Sequence, residues 1–315
     1  MQVTYFCLRN AIVSLQPPVF PAEPTQFSLT DYAVVRLTGE DRVKYLQGQV
    51  TCDVSALAPG QSSLGGHCDA KGKLWGDFRL YCLTDSLLLQ TKRSLLARQL
   101  PELKKFAVFA KVDIQQSDWT SLAIAGTGTD GWVATQFGLG ETGLIPQGMA
   151  VRVATDRWLL VCEQDPALTL PKGEPALWWA LDILAGIPHL EAVHQGEYIP
   201  QMINLQALGG ISFTKGCYMG QETVARAKYR GASNRSLFVL AGEATAPVAS
   251  GDTLELQLGE NWRRGGLVLN AWQQDGRVWL TAVLPKDTEA DAVYRLKQEE
   301  GSRLQLQPLP YSLED

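Results

Sequence analysis

Apolar and polar positions alternate in short runs along most of the chain, and only a few stretches carry helical spacing. Residues 1–27 are rich in proline, lack either period, and read as an irregular tail. From Tyr32, Y-A-V-V-R-L predicts a strand, and Thr38-Gly39-Glu40-Asp41 leads into a helix, D-R-V-K-Y-L-Q-G, with Val43 and Leu46 on one face. Two strand-like runs flank Asp69-Ala70-Lys71-Gly72, a turn signal whose glycine accepts positive φ, so a hairpin is expected. A strand over 87–90, a helix over 94–108 and a strand over 111–115 complete an antiparallel α+β pattern.

The pattern restarts after Asp118-Trp119 with L-A-I-A-G, a Gly-rich helical or loop stretch and a hairpin around Thr155-Asp156-Arg157. The helix P-A-L-W-W-A-L-D-I-L-A-G follows, stopped by Gly186 and Pro188. From about Ser233, short strands recur at the spacing of a small β-barrel. At 315 residues the chain has room for two or three modules, and 45% hydrophobic against 19% charged residues places it among globular proteins.

Charge and cysteine usage narrow the function. A net charge of −5 weakens attraction to phosphate backbones. Neither an apolar run long enough for a membrane span nor a secretory leader is evident, so a cytoplasmic protein is expected. The six cysteines show no C-x-x-C pairing and the three histidines no ligand spacing, which argues against a dedicated metal site. Gly126-Thr127-Gly128 is only a fragment of a dinucleotide fingerprint, and no P-loop is present.

The densest chemical signal is Lys215-Gly216-Cys217-Tyr218-Met219-Gly220-Gln221-Glu222, continued by T-V-A-R-A-K-Y-R-G. A helix from Gln221 to about Lys228 puts Cys217 just before a helix N-terminus, where the dipole favours thiolate, and Lys215 and a folded-back Arg226 would act in the same sense. The competing reading is a small buried cysteine between turn glycines. Lys215, Arg226, Lys228, Arg230 and Arg235 have a solvated basic face as their alternative reading, one of equal weight for the three distal residues, Lys228, Arg230 and Arg235.

This octet resembles the signature of the YgfZ family, folate-binding proteins linked to tRNA modification and iron-sulfur enzyme maintenance. Weaker matches follow in order: K-Y-L-Q-G-Q-V-T (44–51), H-C-D-A-K-G-K (67–73), N-L-Q-A-L-G-G (204–210), E-N-W-R-R (260–264) and P-L-P-Y-S-L (308–313). The resemblance implies an α+β fold like that of the glycine-cleavage T-protein, an aminomethyltransferase: a multi-module folate-binding core with a small C-terminal β-barrel. The modules would be 28–116 with 190–232, then 117–189, then the barrel at 233–315.

It also implies tetrahydrofolate as cofactor, with Tyr32 and Trp178 as aromatic contacts, Cys217 as the functional thiol, and Lys215, Gly216, Tyr218, Gly220, Gln221, Glu222 and Arg226 as its supporting motif. Tyr32 stands where the family has tryptophan. The helical spacing of Trp178, Leu181, Asp182 and Ala185 equally suits core packing, and Asp182 reads as a solvent-facing residue or a partner for pterin donors. Implied partners are the iron-sulfur enzymes of tRNA modification, with an influence on the replication initiator. The expected role is an accessory one rather than a conventional enzyme.

Two alternatives stay open. One is a folate-dependent one-carbon transferase using Asp77, although the T-protein's acid pair is reduced here to Gly76-Asp77, and Asp77 reads equally as an exposed strand residue. The other is direct tRNA binding through Lys215, Arg226, Lys228, Arg230, Arg263 and Arg264.

Overall fold

A computed structural model describes residues 16–231 and 233–313. The first part of the tail, 1–15, lies outside the described residues. The tail ends sooner than expected, because Thr25–Ser28 forms strand β1, with Phe27 fully buried.

The elements then run β2 (Tyr32–Thr38), α1 (Arg42–Gln47), β3 (Ser62–Cys68), β4 (Leu74–Cys82), β5 (Leu87–Lys92), α2 (Leu96–Lys104) and β6 (Asp113–Ser117). Next come β7 (Thr120–Ala125), α3 (Thr129–Phe137), β8 (Gly143–Ile145), β9 (Gly148–Ala154), β10 (Arg157–Cys162), α4 (Pro175–Leu184) and α5 (Gln221–Tyr229). The last part is β11 (Arg235–Glu243), β12 (Thr253–Leu258), β13 (Asn261–Gln274), β14 (Arg277–Pro285), β15 (Val293–Leu296) and β16 (Glu299–Gln307). The helix expected over 94–108 stops at Lys104, and Val108 and Phe109 beyond it face solvent. No buried stripe exists there to carry another helical turn.

Two antiparallel five-stranded sheets and a closed barrel organise the molecule. The first sheet has the order β3-β4-β5-β2-β6 and the second β1-β7-β10-β9-β8. One face of the first sheet, carrying Val35, Leu37, Phe78, Leu80 and Leu89, packs on Leu46 of α1 and on Leu96 and Leu103 of α2. Its other face meets the second sheet through Val34, Tyr81 and Leu88 against Met149, Val151 and Val161. The outer face of the second sheet is covered by Val133 of α3. Six strands in the order β11-β14-β13-β12-β15-β16 close the barrel.

Residues 190–224 wedge the first sheet onto the barrel, burying Leu190, Ile203, Leu205 and Tyr218 against Leu74, Leu237 and Leu269. Asn204 sits in the left-handed region at φ +60° and pairs with both backbone atoms of Leu237, donating to its carbonyl at 2.9 Å and accepting from its N–H at 3.1 Å. A side-chain amide here mimics a strand partner. The C-terminal P-L-P-Y-S-L stretch is tied to the same region, since the Tyr311 hydroxyl donates to the Gly186 carbonyl at 2.7 Å. Among the described residues no helix is long and apolar enough to cross a membrane.

Candidate functional site

Cys217 is the exposed cysteine among the five described, whereas Cys52, Cys68, Cys82 and Cys162 are buried. Burial pushes the Cys52 thiol up to about 12. Gly216 beside Cys217 is also exposed, Tyr218 is buried, and α5 begins at Gln221 behind Gly220. A thiol held on a loop ahead of a helix matches the expectation; its two expected cationic helpers are engaged elsewhere.

Lys215 points inward. Its ammonium donates to the carbonyls of Gln47 (2.7 Å), Val50 (2.8 Å) and Cys52 (2.7 Å), and it lies 5.1 Å from the Tyr218 ring centre. Burial lowers it to about 8, against the opposing pull of Cys52 and Asp53. Arg226 forms a surface i,i+4 pair with Glu222 at 2.5 Å instead of folding back on the cysteine. Arg235 is tied to the Gly265 and Val283 carbonyls. That leaves Lys228, stacked 4.0 Å over Phe213, and the exposed Arg230, Arg263 and Arg264 as basic surface.

The cysteine loop is where the scattered sequence motifs meet. Gly220 has φ +80°, and a Cβ there would lie 2.5 Å from the Asp69 carbonyl oxygen and 2.8 Å from the Gly72 Cα. Only glycine permits that approach of the H-C-D-A-K-G-K turn to the start of α5. The N–H of Met219 donates to the Gly48 carbonyl at 3.0 Å, and that of Ser212 to the Thr51 carbonyl at 2.9 Å. The Thr51 hydroxyl donates to the Gly210 carbonyl at 2.6 Å and accepts from the Gly66 N–H at 2.8 Å. Motifs some 170 positions apart thus form one backbone-bonded platform under Cys217.

Tyr32 and Trp178 meet elsewhere, in a cleft that continues the interface of the two sheets. Period 2 explains its polarity. Tyr32 shares a strand face with Val34, Asp77 and Arg79 with Tyr81, Gln90 and Lys92 with Leu88, and Arg157 with Leu159 and Val161. The facing surfaces are apolar at one end and charged at the other. Helix α4 and residues 185–189 close the cleft, and Cys217 is not among its lining residues.

Asp182 is buried, not solvent-facing: it pairs with Arg157 at 2.6 Å and His189 at 2.8 Å. Burial alone would push its carboxyl up, but Arg157 and His189 outweigh that and hold it below the ordinary range. His189 Nδ1 lies 3.4 Å from the Tyr32 hydroxyl, and the two rings meet edge-on. Asp77 is half-buried, faces the cleft and accepts the Leu190 N–H at 2.9 Å, which corrects its reading as an exposed strand residue. Burial raises its carboxyl, against the opposing effect of His189.

Trp178 lines the cleft while being fully buried, with the Arg157 guanidinium 4.3 Å over its ring and Phe27 tilted beside it. It therefore serves as core and cleft wall together, and that ring face is already covered. The indole Nε1 and the Arg157 Nε are buried without a hydrogen-bond partner among the described residues. Neighbouring Trp179, absent from the sequence reading, packs edge-on to Tyr32 at 5.1 Å and carries the Lys92 ammonium 3.3 Å over its ring. Two unfilled donors, aromatic walls and a carboxyl inclined to hold its proton suit a flat heterocycle bearing acceptor and donor atoms.

The architecture of two sheets and a barrel is that of aminomethyltransferase T. The solved glycine cleavage system aminomethyltransferase T from Bartonella henselae superposes with a TM-score of 0.64 at 17% identity, over 92% of this chain and 87% of that one. Residues 233–299 match the family described as YgfZ, beta-barrel domain. Curated proteins named tRNA-modifying protein YgfZ are 47% identical, in Yersinia pestis strain Pestoides F over 95% of this chain and 96% of the relative, and in Yersinia enterocolitica over 98% of both. The chain belongs to the YgfZ family.

Proposed function

We propose that this protein is a cytoplasmic tetrahydrofolate-binding accessory protein that supports tRNA modification, methylthiolation in particular, by sustaining the iron-sulfur enzymes that carry it out. The relatives' name supports the tRNA end of this reading. The observation that carries the folate end is the cleft lined by Tyr32, Asp77, Asp182 and His189, whose lining residues Trp178 and Arg157 each carry a buried N–H (Nε1 and Nε) without a partner among the described residues. Bound tetrahydrofolate supplies a carrier for one-carbon units. The chain's own part is to offer two donors to the heterocycle's acceptors, to present the Asp77 carboxyl, whose pKa burial raises, and to fix Tyr32 through His189.

Cys217 acts in this reading from outside the cleft, as an accessible thiol on a rigid platform. In a strain lacking the protein, Cys217→Ser should fail to restore tRNA methylthiolation that the wild type restores. Full restoration would refute the thiol's role.

The cleft position of Asp77 also supports a folate-dependent one-carbon transferase. That reading requires turnover of 5,10-methylene-tetrahydrofolate that disappears in Asp77→Asn. Direct tRNA contact would rest on Lys228, Arg230, Arg263 and Arg264, since Lys215 and Arg226 are engaged elsewhere. Its signature is affinity that falls steeply with salt.

A further inference from the structure

The cleft and a second, wider space share part of their walls. The cleft is about 70 Å³, and the adjoining hollow about 550 Å³. Arg79, Val153 and Ala154 line both. Arg79 lies on β4, on the strand face of Asp77, and pairs in register with Leu64 of β3 and Gln90 of β5.

The charges around it are spoken for. Arg157 in the cleft is bound to Asp182, and Lys92 lies 3.7 Å from Glu191 and 3.9 Å from Asp31. In the hollow, Arg152 holds Asp130 through two contacts at 3.0 and 2.5 Å. The Arg79 side chain has no ion pair or hydrogen bond among the described residues, and its charge is felt by both Tyr32 and Tyr81. A guanidinium without a partner among the described residues, on the wall shared by a small space and a wider one, suits a ligand with a flat head and an anionic tail.

We propose that Arg79 is a specificity-determining residue that pairs with the first carboxylate of the glutamate attached to the folate head, with the remainder of the tail lying in the wider hollow. This rests on the folate reading above. Because Arg152 is neutralised by Asp130 and Glu141 also lines the hollow, the account requires discrimination for the first glutamate and little further gain from a longer chain.

The test is anaerobic calorimetry with three probes: tetrahydropteroate, which lacks glutamate, tetrahydrofolate, and its triglutamate. Wild type should bind tetrahydrofolate about tenfold or more tightly than tetrahydropteroate, the scale of one charge-assisted pair, and the triglutamate much like tetrahydrofolate. Arg79→Gln should bind the first two alike, and Arg79→Lys should keep most of the difference. The unfolding midpoint of each variant reports whether the fold is intact. Equal wild-type affinity for the first two probes, or discrimination that survives Arg79→Gln, overturns the tail assignment while leaving head binding in place. Binding of none of the three overturns the folate reading itself.

Discussion

Replacing Lys215 with methionine keeps most of the buried stem and removes the ammonium. Three carbonyls, of Gln47, Val50 and Cys52, lose their donor at once. Each unsatisfied buried acceptor costs about 1–3 kcal/mol. The loss is offset in part because the ammonium no longer has to be desolvated, the penalty that already lowers Lys215 to about 8. The net destabilisation should be about 3–5 kcal/mol, the range for removing one member of a buried charged cluster. In a chain of 315 residues that corresponds to a fall in Tm of roughly 5–8 °C.

The pH dependence sharpens the test. The folded value near 8 lies below the unfolded value near 10.5, so between them the unfolded chain holds the proton that the native protein has lost. Stability from this group therefore rises with pH across that window, and the gap between wild type and Lys215→Met should widen in denaturant titrations from pH 8 to 10.5. Alkylation of Cys217 in the folded variant should not slow. Unchanged stability together with a slowed alkylation would refute the anchoring role and restore Lys215 as the activator of the thiol.

Gly220→Ala should cost at least about 1–3 kcal/mol, since φ +80° and two backbone contacts under 3 Å oppose a Cβ, whereas Gly216→Ala, with open space around it, should stay within about 0.5 kcal/mol in the same urea titration. His67 is buried and desolvated to about 4, so the unfolded chain takes up its proton first as pH falls below 6.5; urea midpoints should drop between pH 6.5 and 4 by an amount equivalent to about 3 kcal/mol, and His67→Gln should flatten that limb. Asp182→Asn leaves Arg157 buried without its counter-charge and should destabilise by about 3–5 kcal/mol in thermal unfolding, against a much smaller change for the exposed pair in Glu222→Gln.

The strands and their hairpins were legible because their cues are local: alternation in Y-A-V-V-R-L, a glycine at Gly72, a stop at Gly186. The barrel followed from strand spacing alone. What the sequence hides is direction. A lysine two residues from a cysteine suggests an activator, yet three carbonyls contributed by residues 47–52 capture its ammonium, and no spacing rule reports that. Adjacent tryptophans on α4 point about 100° apart, so which of Trp178 and Trp179 meets Tyr32 depends on how the helix is seated. The cleft did leave a trace. Asp77 and Arg79 precede Tyr81 at alternate positions, and Gln90 and Lys92 follow Leu88, so polar residues occupy a strand face whose other end is apolar. Pairing those faces across two sheets is a tertiary event, as is bringing His189 onto Asp182.

The central claim is that the cleft binds tetrahydrofolate independently of the thiol, and one anaerobic titration addresses it. Wild type, Cys217→Ala and Trp178→Phe would be titrated with tetrahydrofolate by calorimetry; the last keeps an aromatic ring in the core while removing a donor that has no partner within the described protein. Saturable binding by wild type, equal binding by Cys217→Ala and roughly tenfold weaker binding by Trp178→Phe are predicted, the last being the scale of one hydrogen bond. No saturable binding by wild type, or binding abolished by Cys217→Ala and untouched by Trp178→Phe, would contradict it.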